Sequence, residues 1–174
     1  MAGVVGHRVI TMDMPGHGET MGVSGKYGFE AFTDAAIGLM DHLELNEAVV
    51  GGISMGSGIA LAMALRVPER VRALLLVRPA WLDETSPSNL EIIRKLGVWM
   101  EDGGLESARE RLLEHPFYVE ALGTNPSCAA SLAGALTTPH AMESAEVLRV
   151  MVDDRPIQSM ADLARLRKST LVIG

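Results

Sequence analysis

The sequence predicts an α/β fold, a mostly parallel sheet flanked by helices, on three observations. Short β-branched apolar runs alternate with helical patterns over the first eighty residues. A glycine-rich turn joins one such run directly to an Ala-rich helix. The stretch from Asp83 to Asp154 has helical patterns and no convincing strand, so it reads as an insertion between the third strand and the fourth.

Four runs read as buried parallel strands, being apolar, β-branched and bounded by turn residues. They are Arg8–Met12, Ala48–Val50, Val71–Val77 and Thr170–Ile173. Between the first two, Phe29–Leu45 places Phe32, Ala36, Leu39, Met40 and Leu43 on one face, with Asp34 and Asp41 outside it, the stripe of an amphipathic helix. Ser57–Arg66 is rich in Ala, Leu and Met and ends at Val67-Pro68, where proline stops a helix. Strand, helix, strand, helix, strand predicts right-handed crossovers. The insertion is broken at Ser86-Pro87, Gly103-Gly104, Asn125-Pro126 and Thr138-Pro139. These boundaries divide the chain into a core, 1–82 and 155–174, and a helical insertion, 83–154. No internal repeat or low-complexity tract is present.

Bulk properties narrow the function. The 174 residues carry a net charge of −7 with 48% hydrophobic content, enough to bury a core. No basic patch points to nucleic acid or an anionic membrane surface. The one cysteine, Cys128, excludes an intrachain disulfide and fits a reducing compartment. It has no basic neighbour in the sequence and reads as a packing residue. Met1–Gly6 lacks the basic and apolar regions of a signal peptide, and no window reaches the roughly 18 apolar residues of a membrane span. A cytoplasmic protein is expected.

The segment that carries chemistry is Ala48-Val49-Val50-Gly51-Gly52-Ile53-Ser54-Met55-Gly56-Ser57-Gly58, which holds Gly52-x-Ser54-x-Gly56 between strand and helix. A serine on so sharp a turn stands above the sheet in a strained backbone. Side chains at Gly52 and Gly56 are expected to collide across the turn, which glycine avoids. The helix behind Ser54 presents unpaired N–H groups and a positive dipole end, and the N–H of Met55 is the expected donor to a developing oxyanion. A nucleotide-binding turn fails, because no G-x-G-x-x-G register exists and no Gly-Lys-Ser/Thr follows. No cofactor and no metal are expected.

Several segments then resemble those of α/β-hydrolase-fold serine hydrolases. Val9-Ile10-Thr11-Met12-Asp13-Met14-Pro15-Gly16-His17-Gly18-Glu19-Thr20 is similar to the D-x-x-G-H-G-x-S stretch that precedes the elbow, with Thr20 at the usual serine. Asp41-His42-Leu43-Glu44-Leu45 resembles the end of the helix before the elbow strand, and Pro68-Glu69-Arg70-Val71-Arg72-Ala73-Leu74 the approach to the next strand. Thr170-Leu171-Val172-Ile173-Gly174 looks like the late strand that delivers the catalytic acid.

The resemblance implies a partial α/β-hydrolase fold with 83–154 as a helical cap and Ser54 as nucleophile. It places the acid and the histidine beyond Gly174, and the oxyanion loop before Met1. The isolated chain is therefore expected to show no useful esterase activity, since loss of a triad base costs about 10⁶ in turnover. The family neighbour of the elbow strand is expected before Met1 too, so Arg8–Met12 either pairs with Ala48–Val50 directly or leaves a gap.

None of the five histidines is an obvious substitute base. His7 precedes the first strand, the resemblance implies a structural place for His17 in the Gly-His-Gly loop, and His42 lies on a helix expected outside the sheet. His115 and His140 fall in the cap, and a base must come within roughly 2.6–3.2 Å of the hydroxyl or act through one water. Asp83 follows the third strand as an acid candidate but reads better as a solvated loop carboxylate beside Glu84. Leu90, Ile93, Leu96, Trp99, Met100, Leu112, Leu113, Phe117 and Tyr118 read as helix packing ahead of pocket lining, and Arg109, Glu110 and Arg111 as a solvated face. The expected substrate is a small hydrophobic ester, thioester or related acyl compound. The alternative is a non-catalytic remnant or binding module. Self-association through exposed sheet edges is a further expectation.

Overall fold

The structure is a computed structural model describing residues 6–20, 27–80 and 82–174. The expectation about the first residues falls mostly outside it, as does Trp81. Helix α1 spans Phe29–His42, strand β1 Ala48–Ile53, helix α2 Met55–Arg66 and strand β2 Val71–Val77. Helices α3 (Glu91–Glu114), α4 (Pro116–Thr124), α5 (Pro126–Ala135) and α6 (Ala145–Val150) follow, and strand β3 (Ser169–Ile173) comes last. The described strands form one parallel sheet in the order β1-β2-β3.

Each helix ends for a local reason. After α1 the chain turns through Glu44 at φ 53°, with the Leu45 N–H donating to Met40 O at 2.9 Å, three residues short of the expected end. Pro116 and Pro126 stand at the first positions of α4 and α5, where proline costs no hydrogen bond. The Asn125 side chain accepts from the Cys128 N–H at 3.1 Å and caps α5. Inside α3, Gly104 takes φ 74° and ψ −178° and kinks the helix, at the break the Gly103-Gly104 pair predicts.

One strand expectation is corrected. Residues 7–14 form no strand and pair with none of the described strands; Arg8 to Thr11 are exposed, and Met12 is half-buried. A parallel strand exists only as half of a ladder, and among the described residues β1 has its one ladder with β2. Of the two arrangements expected for this run, direct pairing with β1 is not the one adopted. The Gly-His-Gly turn after it is nevertheless well built. Asp13 Oδ2 accepts from the Glu19 N–H at 3.0 Å, Gly16 N–H donates to Thr20 O at 2.9 Å, and the Ser144 hydroxyl donates to Gly16 O at 3.0 Å.

Three apolar clusters hold the chain together. Met40, Met63, Leu74 and Leu76 fill the space between the sheet and helices α1 and α2. Phe29, Phe32, Ile59, Leu90, Val147 and Met151 join those helices to the start of α3 and to α6. Leu96, Met100, Leu112, Tyr118 and Leu132 form a separate core inside the helical segment. No described helix is long and apolar enough to cross a membrane.

Two neighbouring carboxylates fasten the return from the helical segment. Asp153 accepts from the Ser86 hydroxyl at 2.7 Å and from Arg94 Nη1 at 2.9 Å. The Arg94 guanidinium first, and the Ser86 hydroxyl second, hold its carboxyl well below the usual carboxylate value, at about 2. Asp154 accepts from the Phe29 N–H through Oδ2 at 2.7 Å and from the Arg155 N–H through Oδ1 at 2.7 Å. It thereby serves the first turn of α1 from 125 residues away.

Candidate functional site

Ser54 is the single residue between the end of β1 and the start of α2. It takes φ 52° and ψ −111°, a backbone conformation that costs a non-glycine residue on the order of 1–3 kcal/mol. The strain follows from the demand that the chain leave an extended strand and begin a helix within one residue. Hydrogen bonds on both sides hold it there. The Ser54 N–H donates to Val77 O at 2.9 Å, and Ser54 O accepts from the Ser57 N–H at 3.0 Å.

The flanking glycines divide the steric work unequally. A Cβ on Gly52 would lie 2.4 Å from Gly56 C and 2.6 Å from its Cα, so a side chain there forces the turn open. A Cβ on Gly56 meets no atom within 4 Å outside its own helix. The expectation that both positions need glycine is thus corrected: Gly52 must be bare because the Gly56 backbone lies against it. Gly51 is constrained too, since its added Cβ would sit 2.6 Å from Leu75 O across the ladder.

Met55 opens α2, so its N–H has no acceptor within the helix and points its dipole toward the turn. Ser54 is half-buried, and its side chain makes no capping hydrogen bond to α2 or any other among the described residues. Three of the five histidines make contacts with residues other than Ser54. His17 Nδ1 lies 3.3 Å from Pro15 O, and its ring stands edge-on to Phe32 at 6.3 Å. His115 Nε2 lies 3.4 Å from Lys95 Nζ, with the ring tilted over Trp99 at 5.7 Å. His140 Nδ1 lies 3.4 Å from Glu143 Oε1. Asp83 accepts the Met160 N–H at 3.0 Å, and its carbonyl accepts Arg155 Nη1 at 3.2 Å. It fixes the loop before β3.

Ser54 lines neither of two cavities found among the described residues. One of about 590 Å³ lies between α1, the far end of α2 and residues 154–165, lined by Phe29, Thr33, Leu65, Arg66 and Arg155 among others. One of about 300 Å³ lies within the helical segment, against Leu105, Leu112, Tyr118 and Leu136. Sequence reasoning missed Ser57, which is 1% exposed and whose hydroxyl lies 2.7 Å from Gly52 O and 2.8 Å from Val77 O. Its only signal was a small hydroxyl residue one turn past the nucleophile position.

Known proteins bear on the same segments. A family model described as alpha/beta hydrolase fold matches residues 3–102. The chain is 45% identical over 74 residues to the 2-hydroxymuconate semialdehyde hydrolase of Pseudomonas sp. (strain CF600), covering 42% of this chain and 26% of that protein. It is 26% identical over 170 residues to 3-oxoadipate enol-lactonase 2 of Acinetobacter baylyi, covering 88% of this chain and 64% of that protein. The solved structure of a thermophilic esterase from Thermogutta terrifontis aligns with a TM-score of 0.65 at 25% identity, over 92% of this chain and 58% of that one. The enol-lactonase from Burkholderia xenovorans LB400 aligns with a TM-score of 0.64 at 22% identity, over 92% of this chain and 59% of that one, which bears on fold alone. The chain thus spans less than two thirds of the length of each of these relatives.

Proposed function

The chain belongs to the alpha/beta hydrolase fold family, and on that premise we propose that it carries the nucleophile of a serine hydrolase acting on a small hydrophobic ester or related acyl substrate. The observation that carries this reading is Ser54 itself, alone between strand and helix at positive φ. Its Oγ bonds to the acyl carbon as the hydroxyl proton passes to a base, and the carbonyl π electrons become the oxyanion that the Met55 N–H, at the positive end of α2, stabilises. Collapse of that oxyanion expels the leaving group, which takes up the proton. Relatives named as a semialdehyde hydrolase, an enol-lactonase and an esterase support hydrolysis in general. Residues 83–154 act as the cap that selects the substrate, and residues 1–82 with 155–174 as the core that holds the nucleophile.

A second reading is favoured by one observation: no described residue hydrogen-bonds the Ser54 hydroxyl. A nucleophilic serine needs a positioned base, so the 174-residue chain alone is a poor catalyst or a binding module. Hydrolysis of p-nitrophenyl acetate by the chain and by Ser54→Ala tests whether the chain catalyses by itself. The expected result is no difference between the two proteins. Turnover well above Ser54→Ala overturns the inactivity of the isolated chain and supports a base supplied from within it.

A further inference from the structure

We propose that Ser57 is a positioning residue for the nucleophile, clamping the elbow by a buried hydroxyl that bridges the two strands below it; the proposal rests on Ser54 being that nucleophile. A serine inside a helix ordinarily turns its hydroxyl back to the carbonyl four residues earlier. Ser57 does not. It sits in the first turn of α2, and its Oγ reaches Gly52 O at 2.7 Å, five residues back in β1, and Val77 O at 2.8 Å, twenty residues ahead in β2. One hydroxyl has one proton to donate, so the two carbonyls share it.

Val77 O has a second donor, the Ser54 N–H at 2.9 Å. The nucleophile's own backbone and the Ser57 side chain therefore converge on one carbonyl, and both lone pairs of that oxygen are spoken for. The Ser57 N–H closes the loop by donating to Ser54 O at 3.0 Å. Residue 54 is thus held through its N–H by Val77, through its carbonyl by Ser57, and indirectly by the hydroxyl that keeps Val77 and Gly52 at fixed separation. The hydroxyl is sealed from water, Ser57 being 1% exposed, so the bridge is not exchanged for solvent. A hydroxyl merely satisfied in a core needs one acceptor; this one spans the two strand ends between which the strained residue is hung.

The test compares the chain with Ser57→Ala and Ser57→Thr by amide hydrogen exchange, and by the rate at which a fluorophosphonate phosphonylates Ser54 with excess imidazole added as the base that no described residue supplies. Fluoride leaves, the hydroxyl proton passes to imidazole, and the product is read by intact mass with Ser54→Ala as blank. In Ser57→Ala the Ser54 N–H is expected to exchange about tenfold faster, while the Leu75 and Leu76 N–H groups in mid-strand keep their protection. The maximal labelling rate is expected to fall about tenfold with the half-saturating probe concentration unchanged, as misplacement of a reacting atom predicts. Ser57→Thr, which keeps the hydroxyl, is expected to restore both. Equal Ser54 exchange in the chain and in Ser57→Ala, or a uniform rise at every core amide, overturns the clamp. If the exchange result holds but Ser54 never labels in any of the three proteins, the nucleophile reading on which the proposal rests is overturned instead.

Discussion

Leu74 and Leu75 are adjacent in β2 and chemically identical, yet they meet opposite fates. Leu74 is 2% exposed, packed with Leu76 beneath Ala60, Met63 and Met40 of the two helices. Leu75 is 37% exposed and shares its face with Ile53 (66%) and Leu171 (59%). Register puts Gly51, Leu75 and Leu171 in one row, and Ile53, Val77 and Ile173 in the next. Across β1 and β2 one face of the sheet is therefore a core and the other an apolar surface, while β3 is exposed on both faces. Apolar identity creates the tendency to be buried; only a covering element realises it. Parallel sheets ordinarily have both faces covered, so the stability of this chain comes from one side.

That contrast can be broken by a pair of substitutions. Leu74→Ala is expected to destabilise by about 2–5 kcal/mol, as a buried leucine with little room to collapse. Leu75→Ala should cost less than about 1 kcal/mol, because water already reaches its side chain. Urea unfolding followed by circular dichroism measures both, and equal losses would mean that the second face is covered in solution.

A smaller effect sits at the return from the helical segment, where Arg94 and Ser86 hold the Asp153 carboxyl at about 2 against an ordinary 3.8. A depressed folded-state value means the contribution is present above the ordinary carboxylate range and is lost as pH falls toward 2. The pair is half-exposed, so its size is below about 1 kcal/mol. Asp153→Asn should lower the urea midpoint at pH 6, and the gap to the parent should close as the pH is taken down toward 2.

The smallest expected change in folding sharpens the contrast in another way. Leu171→Lys, on the bare face and the outer strand, should alter stability by no more than about 0.5 kcal/mol. It should nevertheless weaken self-association, which an exposed apolar face beside a strand edge that no described strand pairs promotes. Sedimentation velocity across a concentration series reads it, and an unchanged profile would move any association elsewhere.

How much of this was legible depended on distance along the chain. The elbow was legible because its parts are consecutive: an apolar run, a Gly-x-Ser-x-Gly turn and an Ala-rich helix. Strands β1, β2 and β3 were placed within three residues of their observed ends, and α1 and α2 within three and two. Arg8–Met12 has the same composition as a strand and is none, because pairing is a property of the neighbour. The need for a bare Gly52 followed from the motif, while the freedom at Gly56 appeared only when the turn was built. Ser57 was passed over because its partners lie five and twenty residues away, and Asp154 because α1 begins 125 residues before it.

The sequence by itself determined the α/β character, the strand-to-helix turn at Ser54 and the helical stretch that separates β2 from β3, all of which arise from periodicity and backbone preference over a few residues. Tertiary structure alone decided which face of the sheet is a core, which glycine must stay bare and which hydroxyl locks the turn. These depend on atoms brought together from distant positions, and short-range propensity carries no information about what will lie across a gap of a few ångströms.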